Sequence, residues 1–538
     1  MSSTISNAEP DQDRRSAEQA RPSPGPGTSR FASSWGSPLL PRDAMRRSAR
    51  QLIESLAGIA VGIVVGIGGW IGDAAGPSAV YGAEPVVIHE WGTFTTLQDE
   101  TGQELPGINI DDEPVPPFVH NLHPLLLSQP FGPELHWGFR QKGAPRHHPH
   151  VTMRLETPII YFHLPPTAPR PLAVDIDVAF RGGWLTEFFP NARPDAPGLD
   201  QGAFEFGALT PSTIGRLSWH DLQVGTPQGG NAQGGNAQGG NAQSGSPGEP
   251  PATDWPVWTI PRQVAADRVS TRDGEHEHYV FYRGVANQRA PLRTTLDRAD
   301  HRLQLFANFD EVLSPDQTAS IDHLWLVDIR GQDQVAFRRL DGVTVSADPA
   351  QPIAQTDSQF APAEFGPQRL GELKQQMHRA LVEDGLFDDE ATALLDTWQR
   401  AYFQSPGLRL FFLVPQAWTD HYLPLSITTS APIRLDRVMV ARLELKSDRQ
   451  AELLAELART PVSDASWLER IPDSDARNKF FAGRIDFGDL GVEIPADYRL
   501  YLELGRFRNA LVSAEEHQRP NPNWTSFINT YQLHPYRW

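Results

Sequence analysis

From Pro85 onward the chain keeps writing short runs in which apolar residues alternate or cluster: PVVIHEWGTFTTL at 85–97, VTMRLETPIIYFHL at 151–164, LAVDIDVAF at 172–180, GRLSWHDLQV at 215–224, HYVFYRGV at 278–285, HRLQLFANF at 301–309 and HLWLVDIRG at 323–331. Clusters of Pro, Gly, Asn and Asp separate them. A side-chain period of two at this spacing selects antiparallel strands stacked as a sandwich-like body, not βαβ units. Helical spacing enters later. Leu370, Leu373, Met377 and Leu381 recur on one face with Gly385 as the stop. Asp388 then caps a second helix carrying Ala391, Leu394, Leu395, Trp398 and Tyr402. The expected fold class is therefore α+β: a mainly antiparallel β body over 84–445 with a helical hairpin at 367–403. A C-terminal helical region, 446–538, is expected to pack on it, with one helix over about 447–459 and another holding Leu500, Leu504, Phe507 and Leu511. The aromatic-rich end, NPNWTSFINTYQLHPYRW, reads as a strap lying on the body.

Two segments interrupt this pattern. Between 225 and 254 the chain writes QGGNA three times and then QSGSPGEPP, a flexible polar insertion with no apolar surface to offset the entropy of ordering. Leu52–Ile71 is the only long apolar run in the chain, with Arg42, Arg46, Arg47 and Arg50 on its leading side and small residues after it. Such a segment delivers the chain to or through a membrane, as a cleaved signal or as an inner-membrane single-pass anchor. Residues 1–51 are then a disordered tail, 52–72 the signal or anchor, and the body is exported, either periplasmic or on the cell surface. A chain starting at Met45 would carry an ordinary export signal.

Composition narrows the function. The 538 residues carry 47 basic and 66 acidic side chains, a net charge of −19. That opposes nucleic acid as a partner, since binding it needs concentrated positive charge. There are no cysteines, so the exported body has no disulfides and no thiolate metal sites, and a large core must hold it together.

HEWGTFT at 89–95, just after an export segment, resembles an uncharacterised family of large predicted exported bacterial proteins, frequent in planctomycetes and acidobacteria. RLETPIIYF at 154–162, GGWLTEFFP at 182–190, HYVFYRGV at 278–285, the stretch from Glu383 to Pro415, HYLPLSI at 421–427 and RVMVARLEL at 437–445 are similar to that family as well. The resemblance implies export and this architecture over most of 86–512. The family has no assigned activity, so it implies no catalytic residues.

Chemistry has to be sought in the residues themselves. Eight of the seventeen histidines fall between 89 and 163: His89, His120, His123, His136, His147, His148, His150 and His163. His148 and His150, like His276 and His278, share a side of an extended segment, and imidazole with carboxylate suits a divalent metal. A Pro-rich exposed loop is the plainer reading of RHHPH. In a strand, His89 and Trp91 take one face and Ile88 and Glu90 the other. Glu90 then needs a cation, and among Arg154, Arg181 and Arg283 the last is the expected partner. Glu187 sits among aromatics after two glycines. The catalytic candidates are thus Glu90, Glu187 and Arg283, and the metal candidates are His89, His148, His150, His276 and His278. Three functions follow: a non-catalytic binding or structural protein, a metal-dependent hydrolase using the histidine-rich region 89–163, or a carbohydrate-binding or carbohydrate-active protein. The first is preferred.

Overall fold

The computed structural model describes residues 84–108, 115–122, 140–141, 144–145, 148–197, 208–225, 249–331, 333–471 and 491–533. The tail, the apolar segment 52–72, most of the 225–254 insertion and three of the histidines (His123, His136, His147) lie outside the described residues. Among the described residues no helix is long and apolar enough to cross a membrane.

The principal strands are β1 (Val86–Gln98), β2 (Met153–His163), β3 (Leu172–Arg181), β4 (Gly183–Phe189), β5 (Ile214–Val224), β6 (Val280–Ala286), β7 (Leu324–Gly331), β8 (Gln334–Leu340), β9 (Gly407–Leu413) and β10 (Ile433–Leu445). They build one large sheet with the path β5-β4-β6-β2-β1-β10-β9-β7-β8, and β3 pairs with β5. Pairing is antiparallel throughout, except between β1 and β10 and at a one-residue contact between β4 and β5. The sheet does not close into a barrel, and helices complete an α+β architecture. In β1 every residue but Val87 is buried, as a strand covered on both faces must be. Val86, Ile88 and Phe94 enter one core, while Trp91 joins Ile159, Tyr161, Val438 and Val440 in a second core on the opposite face.

The helical hairpin covers that second face. Helix α1 (Arg369–Glu383) buries Leu373, Met377, Ala380 and Leu381, and α2 (Asp388–Thr397) buries Ala391, Leu394 and Leu395. Each of these larger side chains contributes ~1.5–3 kcal/mol on leaving water. Gly385 makes the turn at φ +119°, a conformation closed to residues with a Cβ. The second helix ends at Thr397, and a separate short helix, Gln399–Phe403, carries Tyr402. The C-terminal helix expected around Leu500–Leu511 also comes as two pieces, Ala496–Glu503 and Arg508–Gln518, because Gly505 at φ +85° breaks it. The expected aromatic strap is, over its described part, a helix, Pro522–Thr530, capped by Asn521.

A buried polar network ties these pieces to the sheet. Glu156 accepts from Arg154 (2.9 Å), Arg506 (3.2 Å) and the Tyr402 hydroxyl (3.1 Å). Glu444 takes Arg409 (2.9 Å) and Arg442 (2.6 Å). Burial lowers the Arg409 guanidinium to about 9, and repulsion from Arg442 and Arg506 helps, against the pull of Glu444. Lys446 reaches Glu515 at 2.7 Å.

Candidate metal centre

Register brings the centre together. In the β1–β2 pair His89 stands opposite Tyr161 and Val87 opposite His163. His163 is two residues beyond Tyr161, so it shares a sheet face with His89 as its diagonal neighbour. The two rings lie 5.4 Å apart. The third member comes from the hairpin. Glu390 is the third residue of α2, and its carboxylate folds back to accept the Phe387 backbone N–H at 2.8 Å, an arrangement that ties down the first turn of a helix.

The Glu390 carboxylate is fully buried and meets both imidazoles, with Oε2 2.6 Å from His89 Nδ1 and Oε1 2.9 Å from His163 Nε2. One donor atom from each residue lies within 4.8 Å of the others, the single such group of histidines and carboxylates found among the described residues. Burial pushes the Glu390 carboxyl up, but hydrogen bonds from His163 and His89 outweigh it and hold the group at about 2. The phenyl ring of Phe387 lies across both imidazoles at 4.6 and 4.7 Å and is 40% exposed. His163 Nδ1 bonds the Ala265 carbonyl at 3.2 Å, and His89 Nε2 is 3.5 Å from Asp436 Oδ2.

Two imidazoles and one carboxylate form the ligand set of divalent first-row metals. With bonds of ~2.0–2.1 Å, tetrahedral donor atoms stand about 3.3 Å apart. The two histidine–carboxylate contacts, 2.6 and 2.9 Å, lie within 1 Å of that spacing, and the group, whose donors lie within 4.8 Å of one another, would have to draw in around an ion. A neutral His163 that donates Nδ1–H to Ala265 presents a lone pair at Nε2, and a lone pair facing a carboxylate at 2.9 Å calls for a cation, either a proton or a metal.

The remaining sequence candidates lie elsewhere. His148 is buried against Trp184, and His150 N–H donates to His148 Nδ1 at 3.2 Å. His276 and His278 are held below the usual histidine range, chiefly by burial, and the neighbouring Glu277 is bound by Arg262 and Trp258. Among the described residues neither pair gathers a third ligand. Glu90 has the buried partner it needs, though a different one from that expected. It stands opposite Arg437 across the β1–β10 pair, 2.6 Å from Nε, and accepts a short bond from Tyr282. Arg283 instead pairs with Glu187, its cross-strand neighbour. Both carboxylates are held in ion pairs with arginines. Sequence reading named His89 and placed His163 in the histidine-rich region, but it missed Glu390. An acidic residue at the third position of a helix reads as a cap, and only the tertiary seating of the hairpin reveals its second role.

No protein-family model matches the sequence, and no curated protein does. Among solved structures the chain is similar to the Fcho1 Mu homology domain of Danio rerio with bound Eps15 peptide, at 8% identity and a TM-score of 0.20, covering 67% of this chain and 94% of that one. A likeness at that score bears on neither family nor function.

Proposed function

We propose that this chain is an exported β-rich binding protein whose body holds a divalent transition-metal ion through His89, His163 and Glu390. The observation that carries the reading is the enclosed Glu390 carboxylate, bracketed by two imidazoles that come from separate strands. The export segment and the acidic composition of the body support a role outside the cytoplasm. A second reading, metal-activated hydrolysis, is favoured by the number of ligands, because two histidines and one glutamate leave a position for water. It takes second place because Glu90 and Glu187, the carboxylates expected to act as base, are each held by an arginine.

The test is metal content. Purified protein dialysed against Zn²⁺, Co²⁺ or Mn²⁺ should retain about one equivalent, and Glu390→Gln or His163→Ala should lose it. Equal retention by wild type and both variants would sink the proposal. Cell fractionation tests the export component separately, and an intact chain confined to the cytoplasm would remove that part alone.

A further inference from the structure

A metal-bound imidazole has a second nitrogen, and what that nitrogen bonds decides which tautomer ligates. For His163 the arrangement is explicit. The Ala265 carbonyl, 3.2 Å from Nδ1, accepts a hydrogen bond from that nitrogen and leaves Nε2 toward Glu390. For His89 the ring is turned the other way. Nδ1 faces Glu390 at 2.6 Å, so Nε2 points out of the group. That Nε2 is buried with no hydrogen-bond partner, and Asp436 Oδ2 stands 3.5 Å from it.

Asp436 is there by register and not by chance of a loop. It is the residue directly opposite His89 in the parallel β1–β10 pair. Its carboxylate is steadied by Arg434 Nε at 2.9 Å. The Gly385 turn lies close over it, so that a Cβ at Gly385 would sit 3.5 Å from the Asp436 Cβ. Asp436 is about a third exposed, whereas His89 is wholly enclosed.

Resting on the metal reading above, we infer that Asp436 is the positioning residue of the centre: when an ion displaces the Nδ1–Glu390 contact, its carboxylate closes in from 3.5 Å to accept the Nε2–H hydrogen bond of His89 and so leaves the Nδ1 lone pair to the ion. The two histidines then ligate through opposite nitrogens, His89 by Nδ1 and His163 by Nε2. Each is fixed by an acceptor behind it, a carboxylate in one case and a backbone carbonyl in the other. Asp436 never touches the ion. Its contribution is the tautomer and ring orientation of its cross-strand neighbour.

Two measurements on the full chain decide this. Zn²⁺ affinity by competition with a chelator should fall ~10–100-fold in D436N, the range usual for loss of such a partner. D436E should recover part of the loss, and the metal-free melting temperature of D436N should stay close to wild type. NMR of ¹⁵N-histidine-labelled protein loaded with ¹¹³Cd²⁺ should show the metal on His89 Nδ1 and the proton on Nε2, with the reverse for His163. Wild-type affinity in D436N, or ligation of His89 through Nε2, overturns the inference while leaving the metal reading intact. Wild-type protein that binds Zn²⁺ no better than E390Q does overturns the metal reading itself. Should D436N not fold, the assignment of the ligating nitrogens in wild type still decides.

Discussion

Replacing Glu90 by alanine tests how the centre of the sheet is held. Glu90 is fully buried between the Arg437 Nε at 2.6 Å and the Tyr282 hydroxyl. Burial first, then the Glu90 charge, lifts the Tyr282 hydroxyl far above its usual range, so it stays a donor. The Arg437 guanidinium is lowered by burial, but Glu90 and Tyr282 overcompensate and raise it. Removing one partner of such a pair costs about 3–5 kcal/mol. Arg437 keeps Asp420 at 2.8 Å and the Leu423 carbonyl at 2.8 Å, which places its share near the low end. The orphaned tyrosine hydroxyl adds about 1–3 kcal/mol. Glu90→Ala should therefore cost about 4–6 kcal/mol, read from urea unfolding midpoints, and Glu90→Gln roughly half of that. The triple change Glu90→Leu, Tyr282→Phe, Arg437→Met removes carboxylate, hydroxyl and guanidinium together, leaves only the Leu423 carbonyl and the half-exposed Asp420 without their arginine, and should cost less than Glu90→Ala alone. A single mutant within about 1 kcal/mol of wild type, or a triple mutant as unstable as the single, would refute the reasoning.

Other expectations can be checked alongside. The Glu390 carboxyl, held at about 2 against an ordinary 4.5, contributes stability that is fully present above pH 4.5 and is lost as pH falls through 2, worth roughly 3 kcal/mol. Metal-free wild type and Glu390→Gln should thus differ most at neutral pH and converge in urea titrations toward pH 2–3. A difference constant with pH would contradict the assignment. Gly385→Ala forces a Cβ into a left-handed turn and should cost about 1–3 kcal/mol, with faster hydrogen exchange at Phe387 and Asp388. Leu394→Ala, beneath the hairpin, should cost about 2–5 kcal/mol in thermal unfolding. Arg283→Ala strands Glu187 and should cost about 3–5 kcal/mol, whereas the double change with Glu187→Leu should restore much of it.

What could be read beforehand follows from which forces act locally. The strand runs, the helical spacing of Leu373, Met377 and Leu381, and the opposite faces of His89 and Glu90 are set by period alone. The α2 break at Trp398 is not encoded by period, and the split at Gly505 comes from one glycine at φ +85° that a reading by period passes over. Glu90 was expected to need a cation, and it does, but Arg283 and Arg437 both stand in strands among apolar residues. Only the parallel pairing of two strands about 350 residues apart, His89 with Asp436 and Glu90 with Arg437, distinguishes them. Glu390 was obscured for the same reason, since its partners lie 301 and 227 residues away.

That parallel pairing has a consequence for folding specificity. Strands buried on both faces offer little apolar pattern to fix their alignment, and slippage is the usual hazard. Here two adjacent residues on each strand, His89-Glu90 and Asp436-Arg437, present polar groups to opposite faces, each matched by its cross-strand partner. Sliding β10 by one residue would set Glu90 against Asp436 or against Val438, and by two against Leu435 or Met439. Every misalignment leaves a carboxylate and a guanidinium buried without each other, at several kcal/mol. The dipeptides His89-Glu90 and Asp436-Arg437 thus act as a two-tooth key, admitting one alignment of the sheet's central pair and penalising its neighbours.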